Sequence, residues 1–247
     1  MTSIVHTNEG VRDDAFPTII IPALNEEPAI GEVLGRVPYP ASCVTVVDNG
    51  STDLTSEIAR ASGAHVVCEP RRGYGRACLA GLRAAVPSSI VVFLDADLSE
   101  DPDDILRLVD PITRGEADFV LSRRYGSGRP WHARAGTWAC VWAINTLWGS
   151  CYDDLGPLRA IRRDALEALH MTDVTWGWTI EMQVKAYEAG LRILEVPVVC
   201  QARIGQSKIS GTVRGSLRAG ARMLTIIFQL WCTRARRAIQ RSGSSGR

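Results

Sequence analysis

Two aspartates, one residue apart, stand where the sequence changes from an apolar run to a polar turn. Asp95 and Asp97 follow the apolar segment 90–94, "IVVFL", and Asp101 next to Pro102 is typical of a helix start. Carboxylates at the end of a buried strand cost free energy unless a positive charge lies between them. Such oxygen ligands suit a hard divalent cation that keeps part of its water shell and bridges two phosphates. The alternative for so short a motif is a pair of helix caps or a solvated turn.

Polar residues also follow the neighbouring apolar runs. Asp48 ends "CVTVVD", and a carboxylate there can bind a ribose hydroxyl or a base NH, although the "NGSTD" that follows also fits a plain turn and helix cap. In "RRGYGRA" (71–77), Arg71 or Arg72 can lie along a phosphate, and a surface loop explains the same residues equally well. The glycine spacing matches neither a dinucleotide fingerprint nor a P-loop.

The C-terminal part of the chain is basic throughout. From Arg203 onward it carries nine arginines, one lysine and no acidic residue, whereas the first 202 residues carry 18 basic and 27 acidic ones. Its first loop groups Arg203, Gln206, Ser207 and Lys208 around glycines, as an anion-binding loop does. A segment of one sign indicates an anionic partner, either phosphate groups, a membrane surface or nucleic acid, and a solubilising tail is the alternative.

The elements that must position these residues alternate along the first half of the chain. Short apolar runs predict buried strands, and the segments between them have helical patterns. Such an order predicts a doubly wound, mostly parallel α/β sheet, in which ligands bind at the carboxyl ends of the strands. The predicted strands are 18–21, 43–48, 65–68, 89–95 and 118–122, with further short strands within 153–166 and at 192–200.

The rest of the chain predicts one further helix and two tails. Residues 1–15 and 241–247 are predicted to be flexible tails of a domain at 16–217, and 218–240 predict an amphipathic helix that packs on protein or lies in a membrane interface. The apolar segment 137–149 is too short to span a bilayer and predicts a core or interfacial helix. Seven cysteines without a CxxC pair predict reduced core residues rather than disulfides or zinc ligands.

With these motifs in this order, the chain resembles family 2 glycosyltransferases of the GT-A fold. Within the family it is most similar to the polyprenyl-phosphate (dolichyl-phosphate) mannosyl- and glucosyltransferases. The resemblance runs from Pro17 to Phe228 and rests on "IIIPALNEE", "VVDNGSTD", "RRGYGRACLAGL", "VVFLDADLSEDP", "DFVLSRRYG", "DLGPLRAIRRDAL", "GWTIEMQVKAYEAG" and "GQSKISGTVRG". It implies a single Rossmann-like domain and a metal-dependent hexosyltransferase.

The resemblance also implies roles for individual residues. Asp95 and Asp97 would hold Mg²⁺ or Mn²⁺ on the diphosphate of a nucleotide sugar, and Ser99 stands where several relatives have a third metal ligand. Asp154 and Glu181 would be carboxylates near the sugar or the acceptor. The nucleotide pocket would be lined by Pro22, Ala23, Asn25, Glu26 and Asp48, while Arg124, Arg203 and Lys208 match basic residues that bind donor and acceptor phosphates. From the residue pattern alone, Arg72 is assigned to the donor and Gln206 and Ser207 to the acceptor.

The predicted reaction moves a hexose from GDP-mannose or UDP-glucose to a polyprenyl phosphate, with inversion, at the cytoplasmic face of the membrane. Such an acceptor is already anionic and needs no base, whereas a hydroxyl acceptor would need one, for which Asp154 and Glu181 are the candidates. Glu181 alternatively forms an i,i+4 pair with Lys185. The alternative function is a soluble family 2 transferase acting on a small metabolite or a glycan. The DxD context disfavours a non-catalytic module, and no nucleic-acid partner is expected.

Overall fold

The computed structural model describes residues 16–126, 128–205 and 213–244, with 213–219, 235 and 237–244 described by their backbone alone. Within these residues, the strands are β1 (Thr18–Ala23), β2 (Val44–Asp48), β3 (His65–Cys68), β4 (Ile90–Phe93), β5 (Phe119–Tyr125), β6 (Arg159–Arg162) and β7 (Ile193–Val199). The helices are α1 (Glu27–Arg36), α2 (Thr55–Ala61), α3 (Tyr74–Ala84), α4 (Ile105–Thr113), α5 (Trp131–Trp148), α6 (Arg163–Ala168), α7 (Trp178–Glu188) and α8 (Val213–Ser244).

The strands form one sheet in the order β3-β2-β1-β4-β6-β5-β7. All pair in parallel except β6, which runs antiparallel to both of its neighbours, β4 and β5. The predicted doubly wound, mostly parallel α/β sheet is therefore confirmed. Because β1 and β4 lie at the centre, the turns that follow them meet at one edge of the sheet.

The central strands bury side chains on both faces, which explains their continuous apolar sequences. Ile20 and Phe93 belong to a hydrophobic cluster shared with α3, α5, α7 and α8. Ile19 and Ile21 alternate to the opposite face and join a second cluster with α1, α2 and α4. Two cores thus hold the sheet rigidly from both sides.

Two strand ends differ from the sequence prediction in ways that shape the site. β4 ends at Phe93, so Asp95 lies in the turn beyond the strand rather than at its last position. β5 continues to Tyr125 because it pairs with β7 along its whole length, which places Arg124 on a strand. The backbone positions of Asp95 and Arg124 are therefore set by the ends of β4 and β5.

The C-terminal helix packs on the domain. Ile226 and Ile227 are buried in the cluster that also contains Cys140 and Val141 of α5. Helix α8 spans Val213–Ser244, longer at both ends than the predicted 218–240, while the predicted tail 1–15 lies outside the described residues. In the part of the chain that the structure describes, no helix combines the length and apolarity needed to cross a bilayer.

None of the seven cysteines, all of which lie in the described part of the chain, forms a disulfide, in agreement with the sequence prediction. Cys78, Cys140 and Cys200 are buried, which agrees with a core role. Cys68 and Cys151 are exposed instead, because the first ends the outer strand β3 and the second lies in the loop after α5.

Candidate active site

The turn after β4 presents two carboxylates at the carboxyl edge of the sheet. Asp95 is partly buried, and its Oδ1 accepts a hydrogen bond of 3.1 Å from the Tyr74 hydroxyl. Burial raises the pKa of Asp95 to about 7, and the negative charges of Asp97 and Glu100 add to the shift. Asp97 is buried and accepts from the backbone N–H of Ser99 at 2.9 Å. This cluster of negative charges favours the binding of a cation.

Arg203 supplies one positive charge to this turn. Its Nη2 lies 3.2 Å from Asp97 Oδ2 and 3.2 Å from Glu26 Oε1, so it bridges the ends of β4 and β1. The backbone fixes the same contact, since Ile204 donates to the carbonyl of Asp97 and Gln201 to that of Ser99, both at 2.9 Å. The structure therefore brings together three residues that were predicted separately, at positions 26, 97 and 203.

The predicted nucleotide residues lie at the ends of β1 and β2. Asp48 accepts from Ser51 N–H at 2.8 Å and from the Ser56 hydroxyl at 2.6 Å. Burial opposes ionisation, but these hydrogen bonds outweigh it and hold the pKa of Asp48 below its usual value. Asn25 has a positive φ of 51°, donates to Ser51 and accepts from Thr52, so it joins the two loops. The loops form one preorganised surface.

Pro22 and Ala23 position this surface rather than line a cavity. Ala23 is 2% exposed and packs in the cluster on the α1 side of the sheet, while Pro22 is partly exposed. Both are paired to β2 through the strand register. Their contribution is the path of the backbone into Asn25 and Glu26.

Asn49 organises the loop that carries Arg72. Its side-chain amide donates to the carbonyls of Glu69 and Arg71, each at 2.9 Å, and accepts from Gly73 N–H at 2.7 Å. Arg72 itself is exposed and does not line the main cavity. From the sequence, Asn49 was predicted to be a turn residue only, although an asparagine directly after a strand was the signal for such a role.

Arg124 and Asp154 form a buried bidentate pair. Arg124 Nε lies 2.7 Å from Asp154 Oδ2 and its Nη2 lies 2.9 Å from Oδ1, and Arg129 approaches the same carboxylate at 3.6 Å. Burial opposes ionisation of Asp154, but these cations hold its pKa below the usual value. A carboxylate so paired is a poor proton acceptor at neutral pH, so the predicted base role of Asp154 is not supported by its geometry.

Glu181 does not lie at the cavity. It is 3% exposed in the first turn of α7, where it accepts from the backbone N–H groups of Thr172 and Asp173 and from Lys185 Nζ at 2.7 Å. The predicted catalytic role is therefore corrected to a structural one, because donors already occupy the carboxylate. The i,i+4 pair with Lys185 exists, although Glu181 is buried rather than on an exposed face.

A cavity of about 270 Å³ opens beside the two aspartates. It is partly cationic, through Arg124, Arg129 and Arg203, and partly apolar. Its remaining lining includes Tyr74, Asp95, Asp97, Ser99, Gly128, Pro130, His132, Ala133, Gly136, Thr137, Leu155, Pro157, Trp176, Thr179, Cys200, Gln201, Gly220 and Met223. Arg129 and His132 were not among the residues predicted from the sequence. The predicted acceptor residues Gln206, Ser207 and Lys208 lie outside the described residues.

The donor set of the turn fits a hard divalent cation. Asp95 and Asp97 offer carboxylate oxygens, and Ser99 lines the same cavity. Among the described residues no three His, Cys, Asp or Glu side chains converge. Two carboxylates suffice for a cation that takes its other ligands from water and a diphosphate.

Comparisons with known proteins agree with this geometry. The family described as glycosyl transferase family 2 matches residues 18–169. An uncharacterized glycosyltransferase of Mycobacterium tuberculosis is 42% identical over 206 residues, covering 82% of this chain and 93% of that protein. A polyprenol monophosphomannose synthase of Mycolicibacterium smegmatis is 31% identical over 223 residues, covering 82% and 84%.

A solved structure has a similar fold. Glucosyl-3-phosphoglycerate synthase of M. tuberculosis, in complex with Mn²⁺, UDP and glucosyl-3-phosphoglycerate, superposes with a TM-score of 0.71 at 27% identity, over 87% of this chain and 79% of that one. The protein is thus an α/β enzyme of the GT-A fold. The chain belongs to glycosyltransferase family 2.

Proposed function

We propose that this enzyme transfers a hexose from a nucleotide sugar, GDP-mannose or UDP-glucose, to a polyprenyl phosphate with inversion at the anomeric carbon. The observation that carries the proposal is the composition of the cavity beside Asp95 and Asp97. Its described lining carries three arginines and a histidine, and its only carboxylates are those two aspartates. Such a site attracts an anionic acceptor, and its described lining offers a hydroxyl acceptor no carboxylate besides the two that would hold the metal.

On the donor side, Asp95 and Asp97 would hold Mg²⁺ or Mn²⁺, with the Ser99 hydroxyl as a further oxygen. When bound, the cation neutralises charge on the departing diphosphate. Asp48 and Asn25 would contact the nucleoside, because Asp48 ends β2, Asn25 follows the adjacent parallel strand β1, and both are held by Ser51. The exposed Arg72 would reach the donor from the loop that Asn49 fixes.

On the acceptor side, Arg129 and His132 at the start of α5 face the same cavity as Arg203. The charges of Arg129 and Arg203 would bring two anions together, which otherwise repel each other as the phosphate oxygen approaches the sugar. Gln206, Ser207 and Lys208 keep the acceptor-phosphate role that the sequence predicts for them. Apolar lining by Leu155, Pro157, Trp176 and Met223 suits the first isoprene unit rather than a small polar metabolite.

Two relatives support the lipid acceptor by their names. The M. smegmatis protein is a polyprenol monophosphomannose synthase, and an undecaprenyl-phosphate mannosyltransferase of Micrococcus luteus is 32% identical over 216 residues. We place the reaction at the cytoplasmic face of the membrane, with α8 in peripheral contact. The second candidate is a soluble transferase, which the similarity to glucosyl-3-phosphoglycerate synthase favours.

The test is transfer from a panel of nucleotide sugars with Mn²⁺ or Mg²⁺, with a polyprenyl phosphate, with 3-phosphoglycerate or with no acceptor. We expect metal-dependent product with the lipid only, and loss of at least a hundredfold in rate for Asp97→Ala. Asp103→Ala is the matched control, because Asp103 is exposed on the same segment. Product with 3-phosphoglycerate instead of the lipid would favour the soluble alternative.

A further inference from the structure

Helix α5 carries a stripe of tryptophans that no part of the described protein covers. Trp131, Trp138 and Trp142 are 75%, 69% and 60% exposed. Their spacing of seven and four residues places them within about 40° of one another around the helix. The buried residues Cys140 and Ile144 lie on the opposite side. Large aromatic side chains are rarely left exposed in a row unless they contact a partner.

Helix α8 adds a second apolar stripe beside the first helix. Leu224, Phe228 and Trp231 recur at intervals of four and three residues and are 41%, 59% and 39% exposed. The rings of Phe228 and Trp231 contact each other with centroids 6.1 Å apart. Since Ile226 and Ile227 hold the other side of α8 in the core, this stripe faces away from it.

The two helices lie side by side and run in the same direction. Gly136 of α5 and Gly220 of α8 line one end of the pair at the main cavity. Eleven or more residues further along each helix, Arg234 donates to the carbonyl of Leu147 at 3.4 Å and lies over the ring of Trp148. The pair therefore forms a two-helix layer whose aromatic residues point outward and whose one end opens into the site.

The charge of this layer selects the kind of partner. Neither α5 nor α8 contains an aspartate or a glutamate, while Arg134 and Arg222 are exposed. A second copy of the chain would bring these like charges together. An anionic lipid surface complements them, and tryptophan is favoured at the depth of lipid headgroups, where its ring is apolar and its N–H stays wet.

We infer that the outward face of α5 and α8, built from Trp131, Trp138, Trp142, Leu224, Phe228 and Trp231 with the exposed Arg134 beside the tryptophans, docks on the surface of an anionic phospholipid bilayer. The inference deepens the proposed function, because it places the mouth of the cavity where a membrane-held acceptor would present its phosphate. Docking itself needs neither donor nor acceptor. It can therefore be measured without turnover.

The experiment is co-sedimentation with vesicles of phosphatidylcholine alone or with 30% phosphatidylglycerol, free of polyprenyl phosphate. We expect the wild type to bind anionic vesicles and to be released by high salt. The double variant Trp138→Ser/Trp142→Ser is expected to bind at least tenfold more weakly. Leu106→Ser on α4 is the control, since Leu106 is 47% exposed on the opposite side of the sheet.

A second variant and its control test the electrostatic contribution to vesicle binding. Arg134→Gln is expected to weaken binding to anionic vesicles at least threefold and to leave neutral vesicles unchanged. Arg83→Gln, an exposed arginine of α3, is the control. Thermal unfolding of each variant verifies folding, and quenching of wild-type tryptophan fluorescence by brominated acyl chains tests insertion without any substitution.

Three results would overturn the inference: no binding of the wild type to anionic vesicles, equal binding by the double tryptophan variant, or a wild-type dimer that this variant converts to a monomer. Vesicle binding that depends on the tryptophans, together with no transfer to any lipid acceptor, would support the docking face and reject the proposed function instead.

Discussion

At the scale of single residues, Arg203 joins the donor side of the site to the acidic turn. It is 29% exposed at its side chain, whereas Glu26 and Asp97 are 8% and 10% exposed, so its removal leaves two carboxylates facing each other with little water. We predict that Arg203→Gln lowers the free energy of unfolding by about 2 kcal/mol and the transfer rate at least tenfold. Urea unfolding and initial rates measure both.

The control for this substitution is Arg71→Gln. Arg71 also pairs with a glutamate, Glu69, but its side chain is 72% exposed, so we expect a change below about 1 kcal/mol. Equal losses in the free energy of unfolding for the two substitutions would contradict a special role for the contacts of Arg203 with Glu26 and Asp97.

Asp154 permits a test of pH dependence. The pKa of the Asp154 carboxyl is lower in the folded protein than in the unfolded chain. Its ionised form therefore contributes its full stabilisation above the unfolded pKa of about 4, and this contribution disappears as the pH falls through the folded pKa. We predict that Asp154→Asn lowers the free energy of unfolding by about 3 kcal/mol at pH 7, and that the difference from wild type narrows below about pH 4. Unfolding curves from pH 7 to pH 3 measure it.

The same variant distinguishes support from catalysis. If Asp154 only holds Arg124 in place, the residual activity of Asp154→Asn keeps the pH profile of the wild type. A lost acidic limb in that profile would restore Asp154 as the base and would favour a hydroxyl acceptor.

At the scale of elements, the sequence predicted the strands well because each buried strand is continuously apolar and short. The meeting of strand ends at one edge followed from parallel topology alone, so Asp48, Asp95 and Asp97 could be placed together. The contact of Arg203 with Glu26 could not, since 176 residues lie between them and no local pattern sets their distance. The buried contacts of Glu181 could not be predicted for a different reason, because its backbone donors come from the loop before α7, which has no periodic signal.

Helix α3 is positioned by a contact that only glycine permits. The N–H groups of Gly75 and Arg76 donate to the carbonyls of Thr175 and Val174, at 3.0 and 3.2 Å, and a Cβ at Gly75 would overlap the carbonyl oxygen of Asp173. We predict that Gly75→Ala costs about 3 kcal/mol of unfolding free energy, because backbone must shift. The shift would also displace Tyr74 from Asp95.

The matched control is Gly35→Ala in α1. A Cβ there meets nothing within 4 Å, so the substitution is expected to stabilise the protein by about 0.5 to 1 kcal/mol through helix propensity. Urea unfolding of both variants compares a glycine needed for packing with one that is not. If both substitutions changed the free energy of unfolding in the same direction, α3 would not be closely packed against the loop at 173–175.

At the scale of the whole molecule, helix α8 has two sides with separate tasks. One side closes the core and the cavity through Ile226, Ile227 and Met223, and the other presents the apolar stripe that includes Leu224. A helix that served only as an anchor could be removed without harm to the domain. A helix that also closes the core cannot, because its loss exposes the cluster beneath α5.

We therefore predict opposite effects for two neighbouring aliphatic residues of α8. Ile227→Ala is expected to lower the free energy of unfolding by about 3 kcal/mol, since Ile227 is 1% exposed and leaves a cavity, while the folded variant still binds anionic vesicles. Leu224→Ala is expected to change stability by less than about 0.5 kcal/mol and to weaken vesicle binding at least threefold. Urea unfolding and co-sedimentation on the same preparations measure both quantities. Loss of vesicle binding in both variants, or in neither, would mean that α8 does not divide its two faces between the core and the membrane.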